Sequence, residues 1–197
     1  DPADPASLPG NVVQALHIDA ADRVWVGTEN GGLSVMEADR GGFRHFRQAD
    51  HPQMGSDDVF AITSRGSDVW FGTFGGGLHR LSADGRITRF GASADAGDGL
   101  PSDNVLSLAF DARGVLWIGT MDGLARYDGR DVRRFALPHS QDAIIYSVTA
   151  DGNAVWVGAS DGVHRWSPQQ RWVSPPWSPM FARPNALIAM ASDGQGE

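Results

Sequence analysis

The chain contains neither cysteine nor lysine, and only three of its 24 acidic residues are glutamate. Without cysteine there are no disulfides, thiolate metal sites or cysteine nucleophiles. Without lysine there is no Schiff-base chemistry and no phosphate-loop lysine. All 16 basic residues are arginine. Long uninterrupted segments are missing too. Gly and Pro occupy 25 and 11 of the 197 positions, and the longest stretch free of both is residues 11–26. That excludes coiled coils, long helices and a membrane-inserted span, which needs about 20 apolar residues. A net charge of −8 argues against a nucleic-acid partner. What is abundant is Asp and Gly, the turn formers, while the surface helix formers Lys and Glu are scarce. The composition is that of an all-β chain.

One motif recurs four times, as Val24-Trp25-Val26-Gly27-Thr28, Val69-Trp70-Phe71-Gly72-Thr73, Leu116-Trp117-Ile118-Gly119-Thr120 and Val155-Trp156-Val157-Gly158-Ala159. The Trp positions 25, 70, 117 and 156 give spacings of 45, 47 and 39 residues. Short-strand units with a period of 40–50 residues are the signature of propeller blades. Each motif is preceded by an apolar run (12–18, 59–63, 105–110, 143–149), which reads as the first strand, and the motif itself is the second. A turn follows at Asn30-Gly31, Gly75-Gly76, Asp122-Gly123 and Asp161-Gly162. Such dipeptides predict type I′ hairpins with φ > 0 at both central residues. Third strands (33–36, 78–81, 124–127, 163–166) and fourth strands (43–47, 87–90, 132–135, 172–174) complete each unit.

The expected architecture is a single all-β propeller segment over 1–197. Its four four-stranded blades span about 10–48, 57–91, 103–136 and 142–174, and an orphan strand at 185–191 reads as the start of a fifth. An orphan strand predicts an excerpt of a larger propeller, whose two end blades would expose apolar faces and self-associate. Strands buried between neighbouring sheets should be near-continuous apolar runs, as the first and second strands are. The motif residues Trp25, Trp70, Trp117 and Trp156 can fill the space between sheets. Gly27, Gly72, Gly119 and Gly158 lack the Cβ that would keep the next sheet away. Arg44, Arg47, Arg86, Arg89, Arg130, Arg133, Arg134 and Arg171 lie on or beside the fourth strands, where charge protects an exposed sheet edge.

The combination Leu100-Pro101-Ser102-Asp103-Asn104-Val105, then Asp111 to Thr120, then Asp122 to Asp128, resembles the two-component regulator propeller repeat. Unit 1 matches through Leu8 to Val12 and Asp19 to Thr28. Unit 2 departs at Met54-Gly55, and unit 4 has Ala159 for Thr and no Leu-Pro opener. Proteins with these repeats are bacterial membrane-bound sensors whose propellers feed a histidine kinase or diguanylate cyclase. The resemblance therefore implies a periplasmic, ligand-sensing or signal-relaying portion of a signal-transduction receptor, non-catalytic in itself and without a cofactor. A passive protein-interaction scaffold and a propeller lyase or hydrolase are the alternatives.

Candidate site residues are few. Trp177, in Ser174-Pro175-Pro176-Trp177-Ser178-Pro179, is the candidate for ligand binding, because a rigidly held aromatic can stack on a sugar ring or a partner protein. The expected partner is a small molecule, with carbohydrate one class. The six histidines (His17, His45, His51, His79, His139, His164) lack metal-ligand spacing, so no metal site is expected. His79 and His164 hold the same place in their third strands, which points to a structural role. Gly158-Ala159-Ser160-Asp161-Gly162 has the spacing of a nucleophile elbow but falls where a hairpin is expected, so no catalytic residue is assigned.

Overall fold

The computed structural model describes residues 4–37, 41–93, 98–138, 142–169 and 171–178. His139 and the orphan strand at 185–191 lie outside them. Among the described residues sixteen strands form four antiparallel four-stranded sheets, each ordered as its strands follow one another in sequence. Blade 1 holds β1 (Val13–Ile18), β2 (Val24–Thr28), β3 (Gly32–Met36) and β4 (Phe43–Phe46). Blade 2 holds β5 (Val59–Arg65), β6 (Asp68–Thr73), β7 (Gly77–Leu81) and β8 (Ile87–Phe90). Blade 3 holds β9 (Val105–Phe110), β10 (Leu116–Thr120), β11 (Gly123–Tyr127) and β12 (Val132–Arg134). Blade 4 holds β13 (Ile145–Asp151), β14 (Ala154–Ala159), β15 (Gly162–Ser167) and β16 (Arg171–Val173).

The register repeats from blade to blade. Trp25 pairs with Val35, Trp70 with Arg80, Trp117 with Arg126 and Trp156 with Arg165, so the four Trp occupy one equivalent position. A bulge recurs near the start of the first strand in blades 1, 2 and 4, after Val13, Val59 and Ile145.

The chain divides into two compact units. The first takes in Asp1–Gly91 with Asp103–Val105, the second Ala92–Ser102 with Leu106–Glu197. In the first, Trp25, Leu33, Val35 and Phe46 of blade 1 pack on Val69, Phe71, Leu81 and Ile87 of blade 2. In the second, Trp117 and Leu124 of blade 3 pack on Val148, Val155, Val157 and Trp166 of blade 4. Each core is thus one sheet laid face to face on the next.

Two expectations change. Burial is greatest on the second and third strands, not the first and second: β2, β6 and β10 are almost wholly buried, while β1 is largely exposed. The first strand is an edge of its sheet, and only the central strands have neighbours on both sides as well as on their faces. The hairpins also differ from type I′. Thr28 pairs with Gly32 and Thr73 with Gly77 across three-residue loops, and Thr120 pairs with Gly123 and Ala159 with Gly162 across two. In the two-residue loops the positive φ has moved out of the turn. It falls on the glycine that opens each third strand, Gly32 (76°), Gly77 (90°), Gly123 (125°) and Gly162 (131°), with Asn30 and Gly75 alone sharing it inside the longer loops. A Cβ there would meet the end of the fourth strand, at the Phe46 carbonyl for Gly32 and at 2.6 Å from the Phe90 carbonyl for Gly77. Glycine is needed for backbone conformation and clearance together.

Candidate functional site

The repeated Trp–x–Gly motif builds the contact between sheets. A Cβ placed on Gly27 would lie 2.6 Å from the Val59 carbonyl oxygen and 2.7 Å from its Cγ1. On Gly72 it would run into the Val105 side chain, and on Gly119 it would lie 2.8 Å from Ile145 Cγ2. In each case the residue met is the first of the following first strand. Trp25, Trp70 and Trp117 are buried, but Trp156 is half-buried. Its outer ring face is covered by Trp177, whose ring stacks on it at 6.3 Å and 14°, and Arg165 lies over the ring at 5.7 Å. Trp177 therefore packs on the fourth motif rather than standing alone on its loop, although much of it remains exposed.

Two carboxylates hold the motif in place from below. Asp19 accepts hydrogen bonds from Trp25 Nε1 (2.8 Å), Arg23 Nε (2.7 Å) and the backbone N–H groups of Ala21 (2.9 Å) and Arg23 (3.1 Å). Asp111 repeats the arrangement with Trp117 Nε1 (3.1 Å), an Arg113 terminal nitrogen (2.6 Å) and the N–H groups of Arg113 and Val115 (both 3.0 Å). Burial pushes both carboxyls up, but the donors outweigh it and hold them below the ordinary carboxylate value. Sequence reasoning quoted both Asp residues without assigning them this work. The signal was present: each stands six residues before the motif Trp, where blades 2 and 4 have Ser64 and Ala150.

Two of the histidines, His79 and His164, serve the packing of their blades. His79 and His164 face Phe71 and Val157 in the same register, as their shared place in the sequence implies. His164 Nδ1 is 2.9 Å from Ser174 Oγ and Nε2 is 2.9 Å from Asp161 Oδ1, so the buried ring ties the hairpin to the end of the fourth strand. His79 is fully buried and stacks on Phe71 at 4.8 Å. Burial, reinforced by the neighbouring Arg89 charge, lowers its imidazole to about 4. The fold thus keeps His79 neutral at a pH where the unfolded chain takes up a proton. Stability should fall by about 3 kcal/mol as the pH drops from 6.5 to 4, and then level off for this group. Urea unfolding across that range checks it. His79→Leu should flatten most of the slope, and an unchanged slope would refute the assignment.

The Ser160 hydroxyl accepts from Ile144 N–H (3.2 Å) and Ser160 N–H donates to the Ile144 carbonyl (2.9 Å). A strand follows it, not a helix, so the nucleophile-elbow spacing is a hairpin. Among the described residues no group of three or more His, Asp or Glu could hold a metal ion. Four of the arginines on or beside the fourth strands are paired with carboxylates: Arg44 with Glu37, Arg86 with Asp84, Arg89 with Asp103 and Arg133 with Asp131.

The first unit holds a roomy cleft, of about 540 Å³, between the segment that precedes β1 and the end of blade 1. The segment runs alongside β4, with Phe43 N–H donating to the Ala6 carbonyl (2.9 Å) and His45 Nε2 to the Pro5 carbonyl (3.0 Å). Since a carbonyl only accepts, Nε2 carries a hydrogen, and in the neutral ring Nδ1 accepts the Ser34 hydroxyl (2.9 Å). Polar side chains of Asp4, Asn11, His45, Arg47 and Asp50 line the cleft beside Pro5 and Leu8. Arg47 Nε is buried without a hydrogen-bond partner among the described residues.

Repeated four-stranded sheets joined face to face through a Trp–x–Gly motif define the chain as a β-propeller segment. Residues 7–30 and 99–122 match the family model of the two component regulator propeller. These are the two units that hold the Asp19 and Asp111 networks. No curated protein matches the chain significantly in sequence. Among solved structures, the extracellular domains of two putative hybrid two component systems of B. thetaiotaomicron are similar, with TM-scores of 0.71 and 0.65 at 23% and 20% identity. The matches cover 88% and 85% of this chain but only 23% and 22% of theirs, so the chain spans less than a quarter of their length. Virginiamycin B lyase from Staphylococcus aureus shares the fold at a TM-score of 0.60 and 17% identity, over 82% of this chain and 54% of the lyase.

No helix among the described residues is long and apolar enough to cross a membrane.

Proposed function

We propose that the chain is a ligand-sensing or signal-relaying propeller portion of an extracytoplasmic, membrane-bound signal-transduction receptor, without catalytic chemistry of its own. The observation that carries this reading is the match of residues 7–30 and 99–122 to the two component regulator propeller. The extracellular domains of putative hybrid two component systems that share the fold support the location. Ser160 and His164 are occupied in tying a hairpin to its neighbouring strands.

The cleft beside β4 is the proposed ligand site. Its volume falls within the range of small-molecule sites, about 300–1,000 Å³. Asp4 and Asp50 offset Arg47, so the cleft does not favour an anion, and its planar polar side chains suit a neutral, hydroxyl-rich molecule of carbohydrate class. A buried guanidinium nitrogen without a partner is the group such a hydroxyl would satisfy. Neutral di- and trisaccharides should raise the melting temperature of the chain, and Arg47→Ala should remove that shift while leaving the unliganded melt nearly unchanged. If no saccharide shifts the melt, or if Arg47→Ala responds as the parent does, the site assignment fails.

A further inference from the structure

A smaller cleft, of about 50 Å³, opens between blades 1 and 2. Both of its walls are sheets of this chain. Trp25, Phe46, Arg23 and Arg44 line it from blade 1, and Val69 and Leu81 from blade 2. The Arg23 guanidinium lies over the Trp25 ring at 5.2 Å, and that of Arg44 over Phe46 at 4.9 Å. The cleft shares no lining residue with the one beside β4.

Blades 3 and 4 have a side chain in the equivalent place. Leu81 pairs with Val69 and Trp166 with Val155, so Leu81 and Trp166 hold one register position on their third strands. The rings they meet are equivalent as well. Trp25 and Trp117 are the motif Trp, and Phe46 and Phe135 lie opposite Leu33 and Leu124. Trp166 is buried with its ring 5.1 Å from Trp117 and 5.6 Å, edge-on, from Phe135. The Arg113 guanidinium, tied to Asp111, covers it at 5.0 Å. In blade 2 a leucine stands where blade 4 has the indole, and it is smaller by roughly the bulk of a benzene ring. The guanidinium tied to Asp19 lies on Trp25 instead. The cleft is the space that Trp166 fills in one unit and Leu81 leaves in the other.

We propose that the cleft between blades 1 and 2 binds a small free aromatic molecule of the indole or phenol type, seated as Trp166 is seated in the second unit. Trp25 and Phe46 offer ring contacts, and Arg23 and Arg44 offer cations to an electron-rich ring face. Asp19 and Glu37 offset the two arginines, so the site does not select an anion. A saturated ring of the same size gains the apolar contact alone. Enclosing a whole benzene takes a cavity of about 150 Å³. The ring therefore enters this cleft by one edge and keeps the rest in solvent, and binding is weak, in the millimolar range. The proposal does not depend on the saccharide reading of the cleft beside β4.

Titration of indole into the methyl-labelled chain, followed by nuclear magnetic resonance, tests it. The ring current of indole should shift the Val69 and Leu81 methyl signals and saturate. Cyclohexanol at the same concentrations should leave them in place. Leu81→Trp builds the blade 4 arrangement into blade 2 and should abolish the Val69 shift, with circular dichroism matching the parent. Leu81→Phe is the smaller change. It should weaken indole binding by about tenfold or more, and it carries the test if the Trp variant misfolds. Val69 and Leu81 signals that indole does not move, equal shifts with cyclohexanol, or a folded Leu81 variant that binds indole as the parent does would each overturn the proposal.

Discussion

Trp117→Ala should destabilise the chain by about 3–5 kcal/mol, the cost of removing a large buried aromatic. Trp156→Ala should cost clearly less, about 1–2 kcal/mol, since a partly solvated ring gives up less buried area. The difference arises although the two residues share a motif, a register and a five-residue context. Trp117 is wholly buried, donates its indole N–H to Asp111, and meets Phe135 edge-on at 4.9 Å and Trp166 at 5.1 Å. Its loss would open a cavity and strip the Asp111 carboxylate of one donor. Trp156 loses a Trp177 stack that solvent already reaches. Denaturant titration of the two variants measures both, and equal losses would show that the repeat context alone sets the energetics.

Gly119→Ala should cost about 1–3 kcal/mol by overpacking, although Ala is otherwise the better strand residue. The added methyl would lie 2.8 Å from Ile145 Cγ2, with the Ile145 carbonyl at 3.1 Å and Cβ at 3.2 Å. Ile145→Ala, a cavity-forming change at a fully buried site, should cost about 2–5 kcal/mol. The double variant removes the Cγ2 that clashes, so it should be more stable than the sum of the two single losses by about 1 kcal/mol or more. Strict additivity would mean that the glycine is kept for some reason other than the approach of Ile145.

The strand inventory, its order within each sheet and the equivalence of the four Trp were legible because they are local and repeated. A β-strand shows its burial every second residue, and a turn shows itself in Gly and Asp within a few positions. The Asp six residues before Trp25 and before Trp117 was legible for the same reason, as was the shared place of His79 and His164. Four repeats let each reading be compared with the others. The 3.3 Å rise of a strand carries an aspartate across one hairpin to the indole N–H, so a carboxylate at that spacing has a geometric consequence.

What lay beyond the sequence depends on which surfaces meet. Val13 and Val59 stand in the same context, yet one is exposed and the other fully buried, because only Val59 has a sheet with a glycine laid against it. Trp156 and Trp117 part company in the same way. The positive φ of Gly123 and Gly162 follows from the strand pairing and not from the Asp-Gly dipeptide that precedes or contains it. The cleft brings Asp4 and Leu8 to His45, Arg47 and Asp50 across some forty residues, a meeting decided when the segment before β1 docks along β4. Periodicity determined which residues are equivalent. Packing between sheets, which depends on neighbours distant in the chain, decided which equivalents are covered and which are left open.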